Sequence, residues 1–385
     1  MTWKKVKLLT LLTLPIQNGY SPICPETSNG KWILGLGALN GSGLDVRQIK
    51  PAPINDSRVD DFLLQAGDFL VSRSNTLDKV GRAALFKGQI KNCSYPDLMM
   101  RFRVDESRIH KEFLDIYLRS SEAIRAFQRS ASGTSGSMVK INKCVLENLL
   151  IPLPNYKEQI AIADVLLIWD HAIEKTEQLI VVKKKRFAWL LVILINKKNK
   201  KNWRKTKLED LALIQKGQQL NISHMIDTGK YYALNGGIEP SGFTNSWNTQ
   251  ENTITISEGG NSCGFVSFNT QKFWCGGHCY ALNNIRDVIE KKYLYYFLKL
   301  HEKQLMSLRV GSGLPNIQKK DLQSFHVSFP SLIDQNKITK ILDNAKQEID
   351  LLKKQLNAYG KQKRGLTRKL LTGQWRVNQI REAKK

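Results

Sequence analysis

One segment occurs twice in this chain. Residues 151–174 and 327–350 align without a gap at an offset of 176 positions, so that Gln159 meets Gln335 and apolar positions match at helical spacing. A repeat with so long a period indicates that the chain is built from two copies of one structural plan, which constrains the fold more than any local motif does.

Both copies predict a long helix. From Ile162 and from Ile338, alternate steps of four and three residues reach apolar side chains over more than four heptads, which is the pattern of a coiled-coil seam. Thr176, Lys183 and Lys363 are the positions of the two seams that are not apolar. Each helix would run for roughly 36–40 residues, or about 55–60 Å at 1.5 Å per residue.

The two seams are expected to be buried against each other. The alternative is two unrelated helices that each pack on their own domain, but the copies lie in one chain and match in length. We therefore predict an antiparallel intramolecular coiled coil. The residues predicted for its interface are Ile162, Leu166, Trp169, Ile173, Ile180, Phe187, Ile338, Leu342, Ile349, Leu352, Leu356 and Tyr359.

The regions that precede the helices predict two α+β domains. They are poor in heptads and contain short β-like runs, at 68–72 and 98–104 in the first region and at 253–257 and 263–268 in the second. The predicted organisation is a first α+β domain at 1–154, a helical region at 155–200, a second α+β domain at 201–330, a second helical region at 331–375 and a basic tail at 376–385.

The opening of the chain recurs as well. Residues 3–8 reappear at 203–208, and Trp375 with Arg376 resembles the same opening a third time. The chain thus ends where another copy would begin, which predicts a cyclic, approximately two-fold arrangement with the C-terminal end beside the N-terminus. The recurrence also argues against a signal peptide at the basic, Leu-rich start, since no small-residue cleavage site follows it.

The net charge of +25 predicts a polyanionic partner. Segments 151–210 and 331–385 together carry +15, against +10 for the rest of the chain, so the excess is densest at the helices and their tails. Binding to a membrane surface would need a free apolar helix stripe, which the partner helix is expected to cover. The apolar run at 187–195 is too short to span a bilayer. We expect a cytoplasmic protein without a membrane partner.

Six scattered cysteines indicate a reducing compartment rather than a disulfide framework. Cys275, His278 and Cys279 form a cluster with some metal-ligand character, but a structural zinc site needs two ligand pairs, and Cys263 is the nearest addition. Buried strand cysteines are the better interpretation, and we predict no metal.

The sequence shows no motif for catalysis or for cofactor binding. An adenine methyltransferase needs an (Asn/Asp)-Pro-Pro-aromatic tetrapeptide, which does not occur. The glycine-rich stretch 35–43 is not followed by a helix pattern. A nuclease motif could begin at Pro96 and Asp97, but Asp105 and Glu106 have no Lys two residues on. We predict a non-catalytic protein with no cofactor.

A basic chain with two globular modules on a rigid coiled coil is suited to contact DNA twice. Because the two modules differ in sequence, the two half-sites should differ too. The expected target is a bipartite, asymmetric site in double-stranded DNA with an unread spacer.

Several short motifs follow one another in the same order in both halves. They are 67–73, 133–136, 141–143, 152–154 and 158–159 in the first half, and 259–260, 311–313, 314–317, 330, 334–335 and 366–373 in the second. In this order they resemble the specificity (S) subunit of type I restriction-modification systems over nearly the whole chain. The departures are Asp334, where the family more often has Glu, and residues 196–202, which replace the usual Leu-Leu-Thr-Gly end of the first helix.

The resemblance implies two target-recognition domains, at 1–154 and 201–330. It also implies assembly with two modification (methyltransferase) subunits and with restriction (endonuclease and translocase) subunits. Two alternatives remain open at this point. The chain could be the target-recognition subunit of another bipartite-site system, of type IIB or IIG character, or a solitary DNA-binding protein without partners.

Contacts with DNA are expected from polar and basic residues on loops between strands. The glycine turns at 133–136 and 311–313 are suited to a close approach to phosphate. The candidate DNA-binding residues are Arg73, Asn75, Lys79, Arg82, Gly133, Ser135 and Gly136 in the first domain, and Asn235, Asn261, Ser262, Arg309, Gly311, Ser312 and Gly313 in the second.

Overall fold

The chain divides into two compact units. A computed structural model describes residues 3–133, 138–196, 202–311 and 315–377. Unit 1 comprises Met1–Lys175 and Leu356–Lys385, and unit 2 comprises Thr176–Gln355. Each unit mixes α-helices with β-strands, so the prediction of two α+β units with two long helices is confirmed.

The helices and strands of the first half lead from the N-terminus into the first long helix. In chain order they are β1 Lys5–Lys7, β2 Leu12–Asn18, β3 Trp32–Leu34, β4 Ile49–Pro51, β5 Phe69–Ser72, β6 Ser74–Asn75, β7 Ala83–Leu85, β8 Cys93–Ser94, β9 Met99–Val104, α1 Lys111–Leu118, α2 Ser121–Ser130, β10 Val139–Lys140, α3 Lys143–Glu147, β11 Leu150–Pro152 and α4 Tyr156–Ile195. Short 3-10 helices lie at Leu8–Leu11, Leu36–Ala38 and Ser57–Phe62.

The described residues of the second half follow the same order, without counterparts of β6 and β10, and end with the second long helix. Its elements are β12 Arg204–Lys207, β13 Leu213–Lys216, β14 Tyr231–Leu234, β15 Gly242–Thr244, β16 Thr253–Ser257, β17 Val266–Asn269, β18 Trp274–Cys275, β19 Cys279–Asn283, α5 Lys291–Leu300, α6 Glu302–Ser307, α7 Lys319–Gln323, β20 His326–Phe329 and α8 Leu332–Leu371. Short 3-10 helices lie at Leu208–Asp210 and Ile222–His224.

The two units share one sheet topology. Unit 1 has a four-stranded sheet in the order β2-β9-β5-β7 and a three-stranded sheet in the order β4-β3-β8, and unit 2 has β13-β19-β16-β17 and β15-β14-β18. In each unit the first strand pairs antiparallel with the strand that precedes a long helix, β1 with β11 and β12 with β20. The β6–β10 pair belongs to unit 1. The internal repeat of the sequence is therefore a repeat of the whole unit.

A glycine is required in both units directly after the first strand of the four-stranded sheet, which is β2 or β13. A Cβ atom on Gly19 would lie 2.3 Å from Pro96 O, and one on Gly217 would lie 2.4 Å from Cys275 O. Gly19 N donates to Met99 O at 3.1 Å, and Gly217 N donates to Cys279 O at 2.9 Å. Only glycine lets the backbone pass this close to the neighbouring chain segment.

The seam residues of the long helices lie in the interiors of the units. Ile162 and Leu166 are buried in the core of unit 1, and Ile338 and Leu342 are buried in the core of unit 2. Among the other predicted interface residues, Ile180 and Ile349 are buried, and the six that remain are half-buried. Those six are Trp169, Ile173, Phe187, Leu352, Leu356 and Tyr359.

In unit 1 the helix segments run antiparallel. The rings of Trp169 and Tyr359 meet edge to face with their centroids 5.7 Å apart. The Glu158 carboxylate, near the start of α4, accepts a hydrogen bond from Val377 N, just after the end of α8, at 3.0 Å. The start of α4 therefore lies beside the end of α8.

Two of the polar seam positions carry ion pairs. The Lys363 ammonium contacts Asp170 in unit 1, and the Lys183 ammonium contacts Glu348 in unit 2. Thr176 is buried. The two lysines that interrupt the apolar pattern thus lie opposite carboxylates of opposite charge.

Trp3, near the start of the chain, contacts residues near its C-terminal end in unit 1. Trp3 Nε1 donates to Leu370 O at 2.9 Å, and the Arg376 guanidinium lies over the Trp3 ring, 3.6 Å from its centroid. The C-terminal segment therefore packs beside the N-terminal strand, as the recurring Trp predicted.

Some boundaries differ from the sequence patterns. The expected strand at 263–268 begins at Val266, because Gly264 has a φ of +87° and turns the chain between β16 and β17. The second long helix ends at Leu371, where Gly373, with a φ of +76°, donates its N–H to Leu370 O.

The described residues contain no helix long and apolar enough to cross a membrane. They also contain no group of three His, Cys, Asp or Glu side chains that could hold a metal ion. The six cysteines are free thiols, and Cys275 and Cys279 are buried on two consecutive strands, β18 and β19, that belong to different sheets.

Candidate nucleic-acid interface

Arg73 follows β5 and has a fixed backbone and a half-exposed side chain. Its N–H donates to Leu98 O at 2.8 Å, and its carbonyl accepts from Ile141 N at 2.9 Å. The guanidinium donates to Asp97 O at 3.4 Å. A backbone held on both sides and a loosely held guanidinium suit a residue that contacts a ligand.

The other candidates of unit 1 lie on the two loops next to Arg73. Asn75 pairs with Val139, which brings the β5–β7 connection beside β10 and close to Gly133. Lys79 is exposed in that connection, and Arg82 lies 3.8 Å from Asp78. Ser135 and Gly136 lie outside the described residues.

The Asp78 carboxyl contributes a negative charge to this basic region. The Thr76 hydroxyl donates to it at 2.6 Å and lowers its pKa, and the charges of Lys79 and Arg82 act in the same direction. Asp78 is therefore an anion close to the Arg82 guanidinium.

The candidates of unit 2 also come together. His278 N donates to Asn235 Oδ1 at 3.3 Å, and Ser262 Oγ donates to Gly236 O at 2.6 Å. Asn261 is exposed next to Ser262.

A second loop joins this group of unit 2. Asn316 bridges to both Gly259 and Val310, which brings Val310 and its neighbour Gly311 to the same place. Arg309 is exposed at the start of that loop, and Gly311 has a φ of +99°. Ser312 and Gly313 are outside the described part of the chain.

One polar cluster of unit 2 is absent from the sequence prediction. Glu258 Oε1 accepts from Lys216 Nζ at 2.6 Å and from Tyr280 Oη at 3.0 Å. Burial, and then the hydrogen bond to Glu258, raise the pKa of Tyr280, so its hydroxyl remains a donor. His278, considered above only as a metal ligand, places Nδ1 3.8 Å from Glu258 Oε2. Aligning the ends of β5 and β16 would have revealed Glu258, because it follows Ser257 as Arg73 follows Ser72.

In each unit, the described candidate residues and their neighbours thus include amides, hydroxyls and cations, a set suited to phosphate and base-edge contacts. The family model of the type I restriction modification DNA specificity domain matches residues 2–184 and 200–358. The chain belongs to this family. The two matches of the specificity-domain family fall on the two halves of the internal repeat, and the family prediction is confirmed.

Relatives within the specificity-domain family occur in bacteria and archaea. A Mycoplasma pneumoniae protein, provisionally named a type I specificity subunit, is 32% identical over 189 residues, which are 47% of this chain and 50% of that protein. This chain therefore spans about half the length of that relative. A Methanocaldococcus jannaschii protein, provisionally named the MjaX type I restriction enzyme specificity subunit, is 22% identical over 97% of this chain and 94% of its own length.

A solved structure shows the same fold. The crystal structure of the type I restriction-modification system S subunit from M. genitalium matches with a TM-score of 0.66 at 20% identity, covering 96% of each chain. At this identity the likeness supports the fold alone.

Proposed function

We propose that this chain is the DNA-reading specificity subunit of a type I restriction-modification complex and reads a bipartite, asymmetric site. The observation that carries the proposal is that one unit occurs twice with the same topology while its loop side chains differ, Arg73 in one unit and Glu258 at the same place in the other. Two units with the same backbone framework but different DNA-reading side chains fit two half-sites of different sequence.

The proposal assigns one target-recognition domain to 1–154 and the other to 201–330, with helical regions at 155–200 and 331–375 and a basic tail at 376–385. The chain itself performs no catalysis and uses no cofactor, and it works in the cytoplasm. Methyl transfer and cleavage belong to two modification subunits and to the restriction subunits that bind it. The candidate residues of both units supply the DNA contacts.

An exposed apolar stripe on α4 supports a protein partner. Leu179, Val182, Trp189 and Ile193 are spaced by three, seven and four residues, so they lie on one face of the helix. Val182 is 59% and Trp189 is 58% exposed. A row of large apolar side chains facing water indicates a binding surface, and we assign it to a modification subunit.

Reconstitution tests the function. The chain, combined with a modification subunit of a type I system and S-adenosylmethionine, should methylate DNA at one bipartite motif, read by sequencing the methylated positions. The chain alone should neither methylate nor cut DNA. Methyl transfer by the isolated chain, or a single uninterrupted motif, would contradict the proposal.

The stripe is tested separately. Val182→Lys with Trp189→Lys should abolish co-purification of the modification subunit and leave the thermal unfolding midpoint near that of the wild type, because both side chains are exposed. Leu351→Lys, which changes an exposed apolar residue of α8, serves as the matched control. Unchanged co-purification of the double variant would exclude this surface.

A further inference from the structure

Glu258 occupies in unit 2 the place that Arg73 occupies in unit 1. Its N–H donates to His278 O at 2.9 Å and its carbonyl accepts from Ile317 N at 2.9 Å, which are the counterparts of the two backbone hydrogen bonds of Arg73. Each residue directly follows the strand at the third place of its four-stranded sheet. The two side chains therefore start from equivalent backbone positions and carry opposite charges.

The hairpins next to these positions are equivalent too. Gly81 N donates to Ser72 O at 2.9 Å, and Gly264 N donates to Ser257 O at 2.8 Å. Both glycines have positive φ values, 76° and 87°. The equivalence of Arg73 and Glu258 thus rests on the surrounding framework as well as on the two residues.

One carboxylate oxygen of Glu258 accepts hydrogen bonds from the described residues, and the other accepts none. Lys216 and Tyr280 both donate to Oε1, which fixes the carboxylate. Oε2 is shielded from solvent and has no hydrogen-bond partner among the residues the structure describes. Glu258 as a whole is 8% exposed, whereas the His278 side chain near Oε2 is 62% exposed. A buried acceptor without a donor is costly, and a donor from a ligand would remove that cost.

Duplex DNA offers few groups that a carboxylate can bind. Phosphates repel it, and base edges of the major groove present amino donors on cytosine and adenine. Adenine places its N7 acceptor beside the amino group, which suits an amide side chain better than a carboxylate. On the edge of cytosine itself, the N4 amino group is flanked by C5–H and not by an acceptor, so cytosine is the match for a glutamate.

We infer that Glu258 is a specificity-determining residue that accepts a hydrogen bond at Oε2 from the N4 amino group of a cytosine in the half-site read by unit 2. Lys216 and Tyr280 are positioning residues that hold Oε1, and His278 moves aside as the base approaches. Arg73, at the equivalent place, meets a base of the other half-site, for which guanine is the matching partner of an arginine.

The inference rests on the proposed function, and its test uses the reconstituted complex with the modification subunit. Glu258→Gln keeps the side-chain shape but replaces one oxygen by a donor. We expect one G·C position of one half-site to lose its preference by about tenfold or more, while the other half-site stays unchanged. Glu251→Gln, an exposed glutamate of the same unit, should leave the motif unaltered.

The outcomes distinguish a failure of the proposed function from a failure of the role of Glu258. A wild-type complex with no methylated bipartite motif would overturn the proposed function and this inference together. A bipartite wild-type motif that Glu258→Gln leaves unchanged would overturn the inference alone. If the variant fails to fold, judged by its thermal unfolding, the wild-type motif decides instead. In that case, a motif with only A·T pairs in either half-site contradicts the inference, and G·C pairs in both support it.

Discussion

Gln159 Oε1 accepts a hydrogen bond from His110 N at 2.7 Å, and the same amide donates through Nε2 to Pro154 O at 2.9 Å. In unit 2, Gln335 Oε1 accepts from Glu290 N at 2.7 Å and Nε2 donates to Pro330 O at 2.9 Å. Both glutamines are buried. Each one joins the first turn of a long helix to the residue that precedes α1 or α5, which explains why the repeat retains glutamine at this position.

Replacing either glutamine should destabilise its own unit. Gln159→Met or Gln335→Met keeps the volume but leaves a buried N–H and a buried carbonyl unpaired, at a cost of about 1–3 kcal/mol each in the free energy of unfolding. Urea denaturation measures the change, and Gln362→Met on the exposed face of α8 is the control. Equal stability of all three variants would show that the amide contacts are dispensable.

Two glycine substitutions should act with opposite sign. Gly19→Ala places a methyl group 2.3 Å from a carbonyl oxygen and forces a backbone shift, so we expect a loss of about 1–3 kcal/mol. Gly365 lies within α8, before its last turn, and a Cβ atom there would meet nothing within 4 Å. Gly365→Ala should therefore stabilise the protein by about 1 kcal/mol, since alanine favours the helix. Thermal unfolding midpoints should move in opposite directions, and a parallel shift would contradict this account.

The Asp170–Lys363 ion pair should stabilise unit 1 in either order of its two charges, but not when both charges have the same sign. At the 176-residue offset, Asp170 corresponds to Lys346 and Lys363 corresponds to Phe187, so the Asp170–Lys363 pair is absent from the other unit. Asp170→Lys or Lys363→Asp alone should destabilise unit 1 because like charges then face each other. The double reversal should recover about 1 kcal/mol or more of the free energy of unfolding. A double-mutant cycle with no coupling would mean that the pair contributes nothing.

Thiol reactivity should follow burial. Burial raises the pKa of the Cys93 thiol to about 12 and also raises the pKa values of Cys263 and Cys279. Because a raised pKa keeps these thiols protonated up to more alkaline pH, they lack the nucleophilic thiolate near pH 8. Native alkylation followed by mass spectrometry should label the exposed Cys144 and spare these three, and all six cysteines should react after denaturation. Fast labelling of Cys93 in the native protein would contradict its burial.

DNA binding should weaken steeply with salt. If Lys and Arg side chains neutralise phosphates, the logarithm of the association constant should fall with that of the salt concentration by about 0.9 per phosphate contacted. Lys79→Gln should lower this slope by about 1 and reduce the affinity for all sequences alike. Fluorescence anisotropy with specific and unrelated duplexes measures both effects, and binding that ignores salt would speak against a phosphate-contacting surface.

The sequence by itself determined the architecture, because its signals are periodic and local. The heptad steps from Ile162 and Ile338 needed no knowledge of the surroundings, and the resulting helices, Tyr156–Ile195 and Leu332–Leu371, agree with the expected length. The recurrence of Trp3 at Trp375 likewise predicted the meeting of the chain ends.

Only the tertiary structure decided which side chains share a site. Lys363 and Asp170 lie 193 positions apart, and nothing in the local pattern of either helix shows that one charge faces the other. Glu258 and Arg73 differ in chemistry, and the preceding serine is the one residue that links the two positions in sequence, so their equivalence rests on the matching backbone hydrogen bonds. A fold tolerates such changes because the framework bonds come from the backbone, which every sequence has, whereas recognition depends on side chains brought together from distant parts of the chain.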